Sequence, residues 1–154
     1  MQTVAHTTIF GMIHLMFDRC LYFNINTLTR LVNKKWDEAF NEFDLSPAHG
    51  YLLRVVLAEP GISQKNLATE LRLEKSTITR FVDALVVKGL VTRSKNATTD
   101  GRTQNIYPTP DATKIHDSLE ALGAKLYQTM VSTIGKQKLE LLVQQLREST
   151  KKIM

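Results

Sequence analysis

Between Ser63 and Arg102 the chain gathers residue types that bind a polyanion: Lys65, Lys75, Ser76, Thr77, Thr79, Arg80, Arg93, Lys95 and Arg102. Lysine and arginine supply only donors, while serine and threonine hydroxyls can donate to a phosphate oxygen or a base edge. Such a set recognises; it does not make or break bonds. The charge count agrees. Ser63–Arg102 holds eight basic and four acidic residues, and the rest of the 154-residue chain holds twelve and eleven. Four of the five net positive charges therefore lie in one central segment, and so local an excess invites an anionic partner. The bland alternative is a solvated face.

Catalytic patterns are missing. There is no glycine-rich phosphate loop after a strand, no His-Glu-x-x-His and no nucleophile elbow. Asp37 and Glu38 are neighbours on a helix and point about 100° apart, unsuited to joint acid–base work. His6, His14, His49 and His116 show no ligand spacing with one another or with Cys20. No enzyme activity, metal or cofactor is implied. A single cysteine excludes an intramolecular disulfide and fits a reducing cytoplasm. The apolar run from Ile9 to Phe17 has no basic residue before it and no small-residue cleavage site, so a signal peptide is not expected. No apolar run approaches the roughly 18 residues of a membrane span, and no membrane partner is expected.

The elements that must position these residues follow from periodicity and punctuation. From Ile9 to Phe43 apolar residues recur at helical spacing with no proline, which predicts one long helix, straight or kinked. At about 45 Å for 30 residues it outruns a single small core and suggests packing against another subunit. Ser46-Pro47 starts a second helix that ends at Pro60-Gly61. Ser63 caps a third. A fourth runs from about Glu74 to Lys88, and Gly89 ends it at a position suited to a left-handed cap. Leu90–Arg93 and Gln104–Tyr107 read as two short strands joined across a polar tip containing Asp100-Gly101. Thr109-Pro110 opens a helix that lasts until Gly135, and a final helix carries Leu139, Leu142, Val143 and Leu146.

Residues 66–85, NLATELRLEKSTITRFVDAL, are the decisive stretch. As one helix, Leu67, Leu71, Ile78, Phe81, Val82 and Leu85 fall within about 100°, but Leu73 points the opposite way and Glu74 sits inside the apolar stripe. A corner between Leu71 and Lys75 lets Leu73 turn inward and Glu74 outward.

Helix, helix, corner, helix, two-stranded hairpin is the order of a winged helix-turn-helix, so the expected fold class is mainly α with a small β-hairpin wing. The residues LSPAHGYLL, ISQKNLATELRLEKSTITRFVDALVVKGLVTR and DGRTQNIYPTPDA resemble the MarR family of transcriptional regulators over residues 46–112. That resemblance implies a DNA-binding domain over 46–109, with 1–45 and 110–154 forming a helical dimerisation region. Glycine often stands in the turn of such units, where Arg72 or its neighbours stand here.

On this reading the Glu74–Lys88 helix enters the major groove by its first turns, through Lys75, Ser76, Thr77, Thr79 and Arg80. Arg80 can pair bidentately with guanine, or else be a structural ion-pair residue. Ser63, Gln64 and Lys65 open the preceding helix, whose N–H groups suit a phosphate. The resemblance places Arg102 of the wing in the minor groove, makes Arg93 and Asp100 the pair that braces the hairpin, and leaves Lys95 and Asn96 to the backbone. It also implies a homodimer on near-palindromic double-stranded DNA, commonly a repressor, and a small aromatic or phenolic effector between the dimer helices and the winged domain, around Trp36, His49, Tyr51 and Arg54. A redox-sensing branch uses one cysteine in the first helix. Here Tyr22 takes that place, and Cys20 lies about 200° away on a helix, which favours an inert thiol. The competing class is a winged helix used for protein–protein contact, which would not need cations along the recognition helix and wing tip.

Overall fold

The computed structural model describes residues 17–95 and 104–153. The first long element is helix α1, Leu21–Phe40. Phe17 and Asp18 are helical, but the chain breaks at Arg19–Cys20, so the single helix expected from Ile9 to Phe43 does not form over the described residues. Cys20 is extended, with φ −83° and ψ 108°. The carbonyls released by the break are met by Asn24, whose side-chain amide lies 2.9 Å from Phe17 O, 3.2 Å from Asp18 O and 2.9 Å from Cys20 O. At the far end α1 tightens into a 3₁₀ turn, Asn41–Phe43, and Asp44 in the left-handed region stops it.

Helix α2, Pro47–Ala58, starts as its sequence dictates: Ser46 Oγ accepts from His49 N, and Pro47 occupies the first turn. Its Gly50 is required by close approach. A Cβ there would stand 2.1 Å from Cε1 of buried Phe40. Strand β1, Ile62–Ser63, follows and had no signal in the hairpin pattern. Helix α3, Gln64–Leu71, is capped by Ser63, which accepts from Asn66 N at 3.1 Å.

The corner is real. Arg72 is left-handed, with φ 53° and ψ 45°, and α4 runs from Lys75 to Val87. Arg72 N donates to Thr69 O and Leu73 N to Ala68 O, the paired bonds of a Schellman turn. The same pair recurs after α4, from Gly89 N to Val86 O and Leu90 N to Leu85 O, with Gly89 at φ 70°. Leu73 departs from expectation. The turn leaves its side chain over the corner, 38% exposed, while Leu67 on α3 and Ile78 on α4 are fully buried.

Strands β2, Val91–Lys95, and β3, Gln104–Pro108, pair antiparallel, and β1 adds to the other edge of β3 in register Ile62↔Ile106. The wing is thus rooted in a three-stranded sheet of order β1-β3-β2 rather than a free hairpin. Thr109 caps α5, Pro110–Ile134, and α6 spans Lys136–Ile153. One core joins the units: Phe40, Leu52, Leu53, Val56, Ile62, Leu67, Ile78, Leu85, Ile106 and Leu119 are all nearly inaccessible. Among the described residues no helix is long and apolar enough to cross a membrane.

Candidate nucleic-acid interface

Ile78, Val82 and Leu85 are fully buried, and this fixes how α4 is turned. At 100° per residue Ser76, Arg80 and Asp83 point away from them and share the outer face. Lys75, Ser76 and Arg80 are exposed, while Thr77 and Thr79 are half-buried. Beside them stands the start of α3, where Ser63 is committed to its cap, Gln64 is half-buried and Lys65 is exposed. Thr79 Oγ1 lies 3.2 Å from Gln64 Oε1 and 3.0 Å from Lys75 O, so it faces α3 and its own helix rather than outward.

Arg93 on β2 reaches across to α4, where its Nη2 donates to Asp83 Oδ1. The sequence had paired Arg93 with Asp100, which lies outside the described residues, as do Asn96 and Arg102. Lys95 ends β2 opposite Gln104. Asp83 is the residue that the sequence reading missed. Its bridge ties the wing to the helix beside it and neutralises a carboxylate on the outer face. Nothing in the linear pattern marks Asp83 as a partner of Arg93, because that contact depends on the angle between α4 and β2.

Electrostatics sort the remaining cations. Lys88 Nζ is 2.5 Å from Asp44 Oδ2, and the bond from Lys88 holds that carboxyl below the usual carboxylate range. Lys65, Lys75 and Arg80 form no ion pair with a described carboxylate. The face therefore presents uncommitted positive charge and hydroxyls at the start of one helix, with a braced strand at its side.

Two contacts join this unit to the flanking helices, and a third, at His49, ties α2 to α4 within it. Arg54 on α2 meets Glu120 on α5 as a fork, Nε to Oε1 at 2.5 Å and Nη2 to Oε2 at 2.7 Å. The fork raises the arginine pKa and lowers the carboxyl, each chiefly through that hydrogen bond. Trp36 Nε1 on α1 donates to Tyr51 Oη at 3.0 Å. His49 rests on Phe81 of α4, with ring centroids 4.8 Å apart, and its Nδ1 is 2.7 Å from Ser46 Oγ. A cavity of about 340 Å³ opens among α1, α2, α5 and α6, reached by Trp36, Tyr51, Tyr127 and Leu146, and no charged residue lines it. On the outside, α1 exposes Leu21, Tyr22, Phe23, Ile25 and Leu31, and α6 exposes Leu141, Val143, Leu146 and Ile153. Cys20 is half-buried at the break before α1.

The MarR family model matches residues 45–103, so over that segment the chain is MarR in sequence. Solved structures share the fold over most of the chain. A MepR–DNA complex from S. aureus has TM-score 0.79 and 21% identity, covering 88% of this chain and 99% of that one. The transcriptional repressor CouR bound to a 23-mer DNA duplex has TM-score 0.78 and 20% identity, covering 86% and 94%. The PcaV regulator from Streptomyces coelicolor, in complex with its natural ligand, has TM-score 0.72 and 21% identity, covering 88% and 97%. No curated protein sequence matches the chain.

Proposed function

We propose that this chain, whose residues 45–103 are a MarR-family winged helix-turn-helix, is a homodimeric repressor that binds near-palindromic duplex DNA and is released by a small effector. The DNA-binding transcriptional role is that of the family. The dimer, the repressor role and the effector are our extension.

The observation that carries the reading is the outer face of α4. Ser76 and Arg80 stand opposite the buried Ile78–Val82–Leu85 side, with Lys65, Lys75 and the N-terminus of α3 next to them. A helix so presented reads base edges by its first turns while its neighbour holds the backbone. Residues 46–109 are assigned to DNA and the flanking 1–45 and 110–154 to dimerisation. The apolar side chains left outside on α1 and α6 are the surface a second copy would cover; Tyr22 is 78% and Ile153 77% exposed. Arg102, Lys95 and Asn96 keep their proposed wing contacts. The effector site is proposed as the uncharged cavity beside Trp36 and Tyr51.

Salt dependence tests the interface. With Arg80 on a base, Lys65 and Lys75 give two cations per chain for the backbone, so a dimer neutralising one phosphate with each should show a slope of log K against log salt of about −3.6, steeper with the wing. Duplexes recovered by the protein from a random pool, titrated by fluorescence anisotropy, give that slope. A slope near zero overturns the reading.

A further inference from the structure

Thr79 lies in the run of groove-facing candidates on α4, yet its hydroxyl is turned to Gln64 at the start of α3. We propose that Thr79 is a positioning residue rather than a base reader, and that its hydroxyl holds the Gln64 amide so that Nε2 donates to a backbone phosphate. The inference rests on the DNA-binding reading and assigns two residues within it.

A threonine hydroxyl carries one proton. Both oxygens within reach, Lys75 O at 3.0 Å and Gln64 Oε1 at 3.2 Å, are acceptors. Lys75 O already receives the helix's own N–H from residue 79. Gln64 Oε1 has no other donor among the described residues, so the proton serves it best. With Oε1 fixed toward α4, the amide presents Nε2 and its two donors on the other side. A group showing only donors suits an acceptor-only partner. It cannot make the bidentate pair with adenine, which needs the carbonyl oxygen as well. Gln64 is the first residue of α3, on the helix of this motif that crosses the DNA backbone rather than entering the groove, so the acceptor is a phosphate oxygen. The bases are then left to Ser76 and Arg80, and the contact through Gln64 carries no sequence preference.

The test compares Thr79→Val, Thr79→Ser, Gln64→Ala and the double variant Thr79→Val/Gln64→Ala on duplexes of about 30 base pairs recovered by the wild type from a random pool, long enough for two half-sites one turn apart. Thr79→Val removes the hydroxyl at nearly constant shape, and Thr79→Ser keeps it. Gln64→Ala removes a hydrogen bond to a charged phosphate and should weaken binding about ten- to hundred-fold per subunit, and Thr79→Val should weaken it by up to the same factor. The double variant should be no weaker than Gln64→Ala alone, and Thr79→Ser should bind as the wild type does. Because glutamine is uncharged, the salt slope should not change, whereas Lys65→Ala should lower it by about one per chain. The loss should be equal across all recovered sequences. Circular dichroism melts of each variant confirm folding. In the free protein, the Gln64 side-chain amide resonances, identified by their absence in Gln64→Ala, should move in Thr79→Val and hold in Thr79→Ser, a readout that does not need DNA. Independent, multiplying losses in the double variant, or a loss confined to one base position, would overturn the assignment while DNA binding stood. Retention of no duplex by the wild type would overturn the DNA-binding reading itself.

Discussion

Replacing Arg72 by glycine should raise stability although it removes a side chain and a charge. Arg72 holds φ 53° and ψ 45°, where the Cβ of an L-residue crowds the following carbonyl. That conformation costs about 1–2 kcal/mol for a residue with a Cβ. Glycine avoids the cost but loses more backbone entropy on folding, about 0.5–1 kcal/mol. The difference leaves a gain of about 0.5–1 kcal/mol. For a chain of this length that is a rise in melting temperature of roughly 1–4 °C. Arg72→Ala is the matched control, since it loses the same charge and keeps the Cβ. Gly89→Ala is the mirror experiment. The same pair of backbone hydrogen bonds surrounds Gly89, and an added Cβ there meets nothing within 4 Å, so its penalty of about 1 kcal/mol is conformational and not steric. Melts at one protein concentration, because a dimer's melting point depends on it, should rank Arg72→Gly above Arg72→Ala and Gly89→Ala below the wild type. An Arg72→Gly variant melting at or below Arg72→Ala would refute the Schellman geometry of the corner.

Gly50→Ala should be strongly destabilising, by about 1–3 kcal/mol, because the new methyl would overlap the Phe40 ring and overpacking forces core shifts; chemical denaturation showing a loss within error would refute the close approach. Burial first, and then the Lys88 charge, hold the His49 pKa below 6.5. The unfolded chain therefore binds more protons near that pH, so stability should fall on acidification through the ordinary histidine range. Comparing melts at about pH 7.5 and about pH 5.5 should show that fall in the wild type and a smaller one in His49→Gln, and equal falls would contradict it. An uncharged aromatic ketone should perturb the fluorescence of Trp36, the only tryptophan, because Tyr51 Oη accepts from Trp36 and keeps its own proton to donate. Benzoate should not, since the cavity lining offers no counter-charge and Arg54 is committed to Glu120; tighter binding of benzoate would reverse the expected effector chemistry.

Much of the architecture was legible because local rules and tertiary packing agreed. Ser46, Ser63 and Thr109 each cap the helix they were expected to cap, and Gly89 takes the left-handed position its place suggested. A corner between Leu71 and Lys75 was legible from Leu73 and Glu74, which no single helix could reconcile, although only Glu74 behaves as that reasoning supposed. What was not legible depends on long-range geometry. Strand β1 is two residues long and exists only because β3 lends it an edge. The break at Cys20 has no proline or glycine to announce it and is satisfied by Asn24, one turn later. At the candidate interface the sequence marked cations and hydroxyls, but not that the Thr79 hydroxyl would face Gln64 or that Arg93 would reach Asp83. Both outcomes are set by how α4 lies against its neighbours, which periodicity does not encode.

Helix α2 is where the proposed regulation must act, for reasons of geometry rather than of chain order. Within two turns it places His49 on Phe81 of the reading helix, Gly50 against Phe40, Tyr51 under the Trp36 indole and Arg54 in the fork with Glu120. These contacts differ in how much displacement they tolerate. The fork holds two bonds of 2.5 and 2.7 Å in one plane, and Gly50 leaves no room for Phe40 to move inward, so α2 cannot slide along α1 or α5 without breaking a contact. His49 against Phe81 is a ring contact at 4.8 Å that can pivot. An occupant that pushed on Tyr51 from the cavity would thus meet stiff restraint toward α1 and α5 and yield toward α4. Were two copies to read one duplex as proposed, their reading helices would have to match a fixed spacing of about 34 Å, and a small tilt of α4 in each would be enough to spoil the match without unfolding.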